Sequence, residues 1–256
     1  MTSPSPAPLP VEPSYRQLAP EQIIRTAQQL ERRVQERFPE SGLGRVCGEI
    51  VRATQDAEIV ADALAKPNYP IRGAVALFIL LLVAAIFGLF AGLRKNLHPN
   101  FESISDLLQG LEAGVNDLVF IGFAIWFLTR LEARWKRHRA LRSLHGLRSL
   151  AHIVDMHQLT KDPDRVTGRG VADTESSPQR RMTPYELTRY LDYCSEALAL
   201  LSKAAALHIE QFDDAETLAA VGEIEDLTDG LSRKIWQKIT ILDRVMSDER
   251  PGPTAP

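Results

Sequence analysis

The chain has 256 residues, with 30 Lys and Arg against 33 Asp and Glu and a formal net charge of −3 at pH 7. That length holds one or two domains. Its two cysteines, Cys47 and Cys194, fall in separate predicted helices, which excludes a disulfide framework and reads as two reduced cytosolic thiols. A charged fraction of 25% and a mean hydropathy of −0.14 suit a soluble protein, but the average hides one intensely apolar segment.

Residues 1–19 carry proline at positions 4, 6, 8, 10 and 13. A run so dense in proline makes neither helix nor ladder hydrogen bonds, so a solvated, partly polyproline-II tail is expected. Pro10 to Pro13 is a PxxP of the kind SH3 domains take, a pattern of low specificity. The stretch has neither the basic n-region nor the apolar h-region of a signal peptide. Insertion is therefore expected to be directed by a later segment, acting as an uncleaved signal anchor.

Residues 20–66 read as a cytosolic helical pair. Pro20 suits the first helical position, where its missing N–H is not needed. Ile23, Ala27, Leu30, Val34 and Phe38 make an apolar stripe, which Pro39 and Gly42 to Gly44 are expected to break. Val46, Ile50, Ala53, Ala57, Val60 and Leu64 make a second, heptad-like stripe with small residues, suited to antiparallel packing on the first.

Residues 71–131 read as a transmembrane hairpin. Gly73–Leu93, GAVALFILLLVAAIFGLFAGL, holds no charge and no proline. As a helix it is about 31 Å long, the thickness of a bilayer's hydrocarbon core. The second span is expected over 113–131, where the apolar run Leu118–Leu128 extends past Asn116 and Asp117 at one end. At the other end it reaches Arg130, which can snorkel. The outer loop 94–112 sets Arg94 and Lys95 against Glu102, Asp106 and Glu112. It also holds Ser103 as an N-cap for a short amphipathic segment, Ile104, Leu107, Leu108 and Leu111, at the outer interface. Beyond the second span come Arg130, Arg134, Lys136, Arg137, Arg139, Arg142 and Arg148, against Glu132 alone. The positive-inside rule then places both termini in the cytosol of a plasma (inner) membrane, with Tyr69, Trp126 and Trp135 as an aromatic belt at the cytosolic interface.

The second span is expected to run on without interruption into a stem helix, 132–160, with Ala133, Ala140, Leu144, Leu147, Ala151 and Val154 on one face. A flexible loop follows at 161–182, then a C-terminal helical hairpin at 183–247 and a disordered tail at 248–256. Thr183-Pro184-Tyr185-Glu186 starts the first helix of that hairpin with an N-cap Thr, Pro at N1 and Glu at N3. That helix should reach about Phe212. Asp213 or Asp214 caps the last helix, with the stripe Ile224, Leu227, Leu231, Ile235, Ile239, Leu242 and Met246. The expected fold is an all-α membrane protein: a two-helix transmembrane hairpin with a cytosolic helical bundle.

Four features are candidates for function. Ala84, Gly88 and Gly92 lie on one face of the first span, a GxxxG pattern that lets backbones approach closely. Its partner is either the second span, through Gly122, or another copy of the chain. Arg130, Arg134, Lys136, Arg137, Arg139 and Arg142 would attract anionic headgroups at ~1 kcal/mol per residue; the alternative is that they only fix topology. Tethered beside a bilayer and lacking a sequence-reading motif, this run does not point to nucleic acid. His152 and Asp155 have ligand spacing on a helix, and His157 joins them only if the helix ends or bends there. Interhelical hydrogen bonding and end-capping is the competing reading. Asn116 and Asp117 are either pore-facing or interfacial anchors. Glu223, Glu225, Asp226 and Asp229 form an acidic face that either docks on the basic stem helix or is solvated.

No phosphate loop, HExxH, CxxC pair or nucleophile elbow is present, so no cofactor is implied. The favoured function is non-enzymatic: a membrane-anchored helical scaffold or interaction protein that self-associates or recruits a cytosolic partner. An oligomeric two-span pore or membrane effector comes second, and a metal-dependent enzyme at the His152 segment third. In layout alone the chain resembles two-helix membrane effectors of bacterial conflict systems.

Overall fold

The computed structural model describes residues 17–96, 104–163, 175–176, 182–210 and 212–248, and among them the regular structure is helical, with no strand. The helices are α1 (Pro20–Arg37), α2 (Gly42–Ala65), α3 (Tyr69–Asn96), α4 (Ile104–Thr129), α5 (Leu131–Leu159), α6 (Pro184–Ala206) and α7 (Ala215–Asp248). They divide into two compact units. One is Lys66–Arg139; the other joins the segments before and after it.

In the two-segment unit the helix starts follow from local chemistry. α1 has Pro at its first turn and an extended Ala19 before it, with no side-chain cap. The glycines expected to break the chain instead open α2, where Ser41 Oγ accepts the Gly44 N–H at 3.3 Å. A Cβ on Gly42 would overlap the His157 imidazole. Any side chain there would have to displace that ring from the first turn of α2. α6 begins with a reciprocal capping box: Glu186 N–H donates to Thr183 Oγ1 at 3.2 Å, and Thr183 N–H donates to Glu186 Oε2 at 2.8 Å. Asp214 caps α7, its Oδ2 accepting the Thr217 N–H at 3.1 Å.

One core runs through this unit. α6 supplies its widest face, including Leu187, Leu191, Cys194, Leu198 and Leu201, and packs on α1, α2 and α7. α1 adds Ile23, Ala27, Leu30 and Val34; α5 adds Leu144, Leu147, Ala151 and Val154; α7 adds Ile224, Leu231, Ile235, Ile239 and Leu242. Phe38 sets its ring edge-on to Tyr190 and Tyr193, with centroids 5.5 and 6.3 Å apart. Burial pushes the Cys47 thiol up to about 12 and the Cys194 thiol up as well, so both stay protonated and unreactive.

α6 stops at Ala206, short of Phe212. The His208 and Ile209 N–H groups bond to the Ala205 and Ala206 carbonyls, three residues back, and tighten the last turn. His208 is fully buried, and its Nδ1 lies 3.2 Å from the carbonyls of both Ala204 and Ala205. Two carbonyl partners require Nδ1 to carry the proton and donate. Nε2 is then an acceptor, with no partner among the described residues. Burial, opposed by the two carbonyls, holds the His208 pKa below the usual imidazole range. Burial together with Arg45 and Lys161 lowers that of His157.

Both imidazoles thus accept a proton more readily in the unfolded chain. Their contribution to stability is complete above about pH 6.5 and is lost progressively as pH falls below it. The melting temperature should fall between about pH 7.5 and about pH 5.5, and His208→Gln should flatten that slope. A pH-independent melting temperature over this range would contradict the assignment.

Candidate functional site: the apolar helix pair and its basic collar

α3 and α4 are long and apolar enough to cross a membrane. At ~1.5 Å per residue they measure about 42 and 39 Å, the depth of a bilayer with its headgroup layers. α4 begins at Ile104, so the segment expected to lie separately at the outer interface is continuous with the second span. The large apolar side chains of this unit have little protein around them. Leu77, Phe78, Leu80, Leu81, Val83 and Phe87 of α3 are each at least half exposed. So are Leu118, Val119, Phe120, Phe123 and Trp126 of α4.

The expected uninterrupted passage into the stem helix is modified at one residue. The Arg130 N–H bonds to the Phe127 carbonyl, three residues back, while Thr129 Oγ1 donates to the Trp126 carbonyl. α4 therefore ends at Thr129, and α5 starts at Leu131. Around this joint arginines lie over aromatic rings: Arg130 over Trp126 at 5.9 Å, Arg134 over Phe127 at 4.6 Å and Arg139 over Trp135 at 5.5 Å.

Glu132, the one acid among the basic residues, ties the start of α3 to the start of α5. Its carboxylate accepts from Arg72 Nε at 2.6 Å and from the Asn68 backbone N–H at 3.0 Å, with Lys136 Nζ 3.5 Å away. The Arg72 hydrogen bond, then that of Asn68, holds the carboxyl down at about 2. Glu132→Gln removes the charge and one acceptor oxygen. Since hydrogen bonds to charged groups contribute about 1.5–3 kcal/mol, the Asn68 amide should exchange with solvent at least about tenfold faster in the variant. Unchanged exchange would remove the clasp.

The other candidates are placed as follows. Ala84, Gly88 and Gly122 are exposed, and a Cβ on Gly88 or Gly122 would meet nothing within 4 Å among the described residues. α3 and α4 touch, and neither Gly88 nor Gly122 has an atom of the other helix within 4 Å of where its Cβ would lie, among the described residues. Gly92 lies on α3 with surroundings outside the description. Asn116 is exposed on α4, and the Asp117 side chain lies outside the described residues. Lys136 is buried, while Arg137 and Arg142 are engaged with other groups.

α5 continues to Leu159, so it neither ends nor bends at His157. His157 consequently sits about 140° round the axis from His152. His152 is exposed, Asp155 Oδ1 accepts from Gln158 Nε2 at 2.5 Å, and His157 faces α2. Among the described residues no three His, Cys, Asp or Glu side chains gather where one ion could be held.

His157 instead lines an open groove of about 500 Å³ with Arg45, Glu49, Leu150 and Ile153, a feature not apparent in the sequence. Of the acidic face on α7, Glu223 pairs with Arg148 of α5 at 2.8 Å. Arg72, Asn68 and His208 were not visible as partners in the sequence; the only signal for the first two was a lone acid inside a basic run. No family model matches the chain, nor does any curated protein or solved structure.

Proposed function

We propose that the protein is a membrane-anchored helical scaffold of the plasma (inner) membrane. In this reading α3 and α4 cross as a hairpin, both termini are cytosolic, and copies associate through the first span. The observation that carries it is the exposure of large apolar side chains round most of α3. A helix that is hydrophobic all round is stable only inside a large core or in lipid, and among the described residues no protein core covers it.

The even number of crossings has independent support. Residues before α3 and after α4 share one core: Val34 and Ile50 belong to the same cluster as Leu198 and Ile235. Segments packed together lie on one side of a bilayer, so the chain between them crosses it and returns. The basic run after α4 supports a cytosolic location for that side. Self-association is supported by Gly88, whose face nothing in its own chain occupies among the described residues.

Orientation and association are tested separately. The two native thiols are buried, so they stay silent toward a membrane-impermeant maleimide. Asn100→Cys is expected to label in intact cells, and Glu40→Cys only after permeabilisation; the reverse pattern overturns the topology. Light scattering in nanodiscs should give a defined oligomer that Gly88→Leu dissociates. A monomer in both samples removes self-association.

A further inference from the structure

We infer that the joint between α4 and α5 is a phosphodiester-binding collar in which arginines held against aromatic rings chelate the headgroups of anionic phospholipids. The inference rests on the reading of α3 and α4 as membrane spans and adds what the helix grips as it leaves the bilayer. It stands on how Arg130, Arg134 and Arg139 are held, as well as on their number.

Each guanidinium lies over an aromatic ring that precedes it in the chain: Trp126, Phe127 and Trp135 respectively. Helical Cα–Cβ bonds tilt toward the N-terminus, and here the N-terminal direction from each arginine leads back into α4. All three side chains therefore lean toward the bilayer end of the helix. Their Cα atoms span only about 14 Å of helix axis, so the three forks are drawn toward the headgroup layer that borders the hydrocarbon core. Arg130 and Arg134 are exposed and Arg139 is half-buried.

The ring contact leaves the fork usable. A guanidinium carries its N–H donors in its own plane, and one held against a ring by cation–π attraction can still offer two of them to two oxygens of one phosphate. The ring's negative face and the restricted side-chain freedom reduce the ordering that binding would otherwise require. Among the described residues none of the three meets a carboxylate; the nearby acid, Glu132, is held by Arg72, Asn68 and Lys136. The donors are therefore available. The aromatic faces belong at the same depth, because Trp is favoured at the membrane–water interface.

The test uses the full chain, extracted in mild detergent and incubated with equal amounts of phosphatidylglycerol and phosphatidylcholine, with retained lipid read by native mass spectrometry. Wild type should retain phosphatidylglycerol at least about tenfold over phosphatidylcholine, since each of three basic residues adds an attraction of several-fold. The triple variant Arg130→Gln, Arg134→Gln, Arg139→Gln should bring the ratio near one. The triple lysine variant keeps the charge and the topology signal but has no planar fork to chelate with, so it should lose most of the preference.

A lysine variant equal to wild type overturns the fork assignment in favour of bare charge. Equal retention of both lipids by wild-type protein recovered from membranes overturns the collar and leaves the spans standing. Wild-type protein recovered from the soluble fraction overturns both.

Discussion

Val83→Arg is expected to remove the protein from the membrane fraction, whereas Ile59→Arg leaves it there. The two positions make a matched pair. Val83 in α3 is 54% exposed and Ile59 in α2 is 58% exposed, so neither side chain is held by a protein core. If water surrounded both, the two substitutions would be equally mild, within about 0.5 kcal/mol, as for most surface changes. In a bilayer they diverge. Val83 lies near the middle of the apolar run of α3, and an arginine at a helix centre is about 3 kcal/mol less favourable for insertion than valine, roughly a hundredfold in the partition. Fractionation after alkaline carbonate washing reads the difference directly. Equal membrane recovery of Val83→Arg and wild type would show that α3 is not in contact with lipid.

Much of this architecture is legible in the sequence because the signals are local. A charge-free run such as Gly73–Leu93 has few folded solutions, and the capping residues Thr183 and Glu186 act within one turn. The stripe Ile23, Ala27, Leu30, Val34 announces a buried face by spacing alone, and all four are buried. What is not legible depends on partners far apart in the chain. Glu132 looks like an exception within a basic segment until Asn68 and Arg72, more than fifty residues away, reach its carboxylate.

Gly42 reads as a breaker from its neighbours; only the arrival of His157 from α5 shows what a side chain there would displace. The end of α6 is hidden for a different reason. An apolar pattern continues through Leu207 and Ile209, but His208 takes the terminal carbonyls and closes the helix, and periodicity carries no information about capping by a side chain. The same limit applies to His152, Asp155 and His157. Spacing suggested a site, and the uninterrupted helix to Leu159 then turned His157 to a different flank.

Leu198→Ala should lower the melting temperature of the two-segment unit by about 10 °C and leave the membrane fraction unchanged. Leu198 is fully buried in α6, the helix that packs on α1, α2 and α7. Truncation there opens a cavity that three neighbouring helices cannot close by moving one side chain. The destabilisation should be about 3–5 kcal/mol, and for a unit of this size that corresponds to the stated shift. The membrane fraction should not respond, because the apolar surface that would hold α3 in lipid belongs to a unit with its own contacts. Near-ultraviolet circular dichroism during a thermal scan, followed by fractionation of the same variant, gives both readings. A loss below about 1 kcal/mol would mean that α6 is not the centre of the bundle. Loss of membrane recovery in Leu198→Ala would mean that insertion requires the folded bundle, so the anchor would depend on the very domain it is proposed to hold in place.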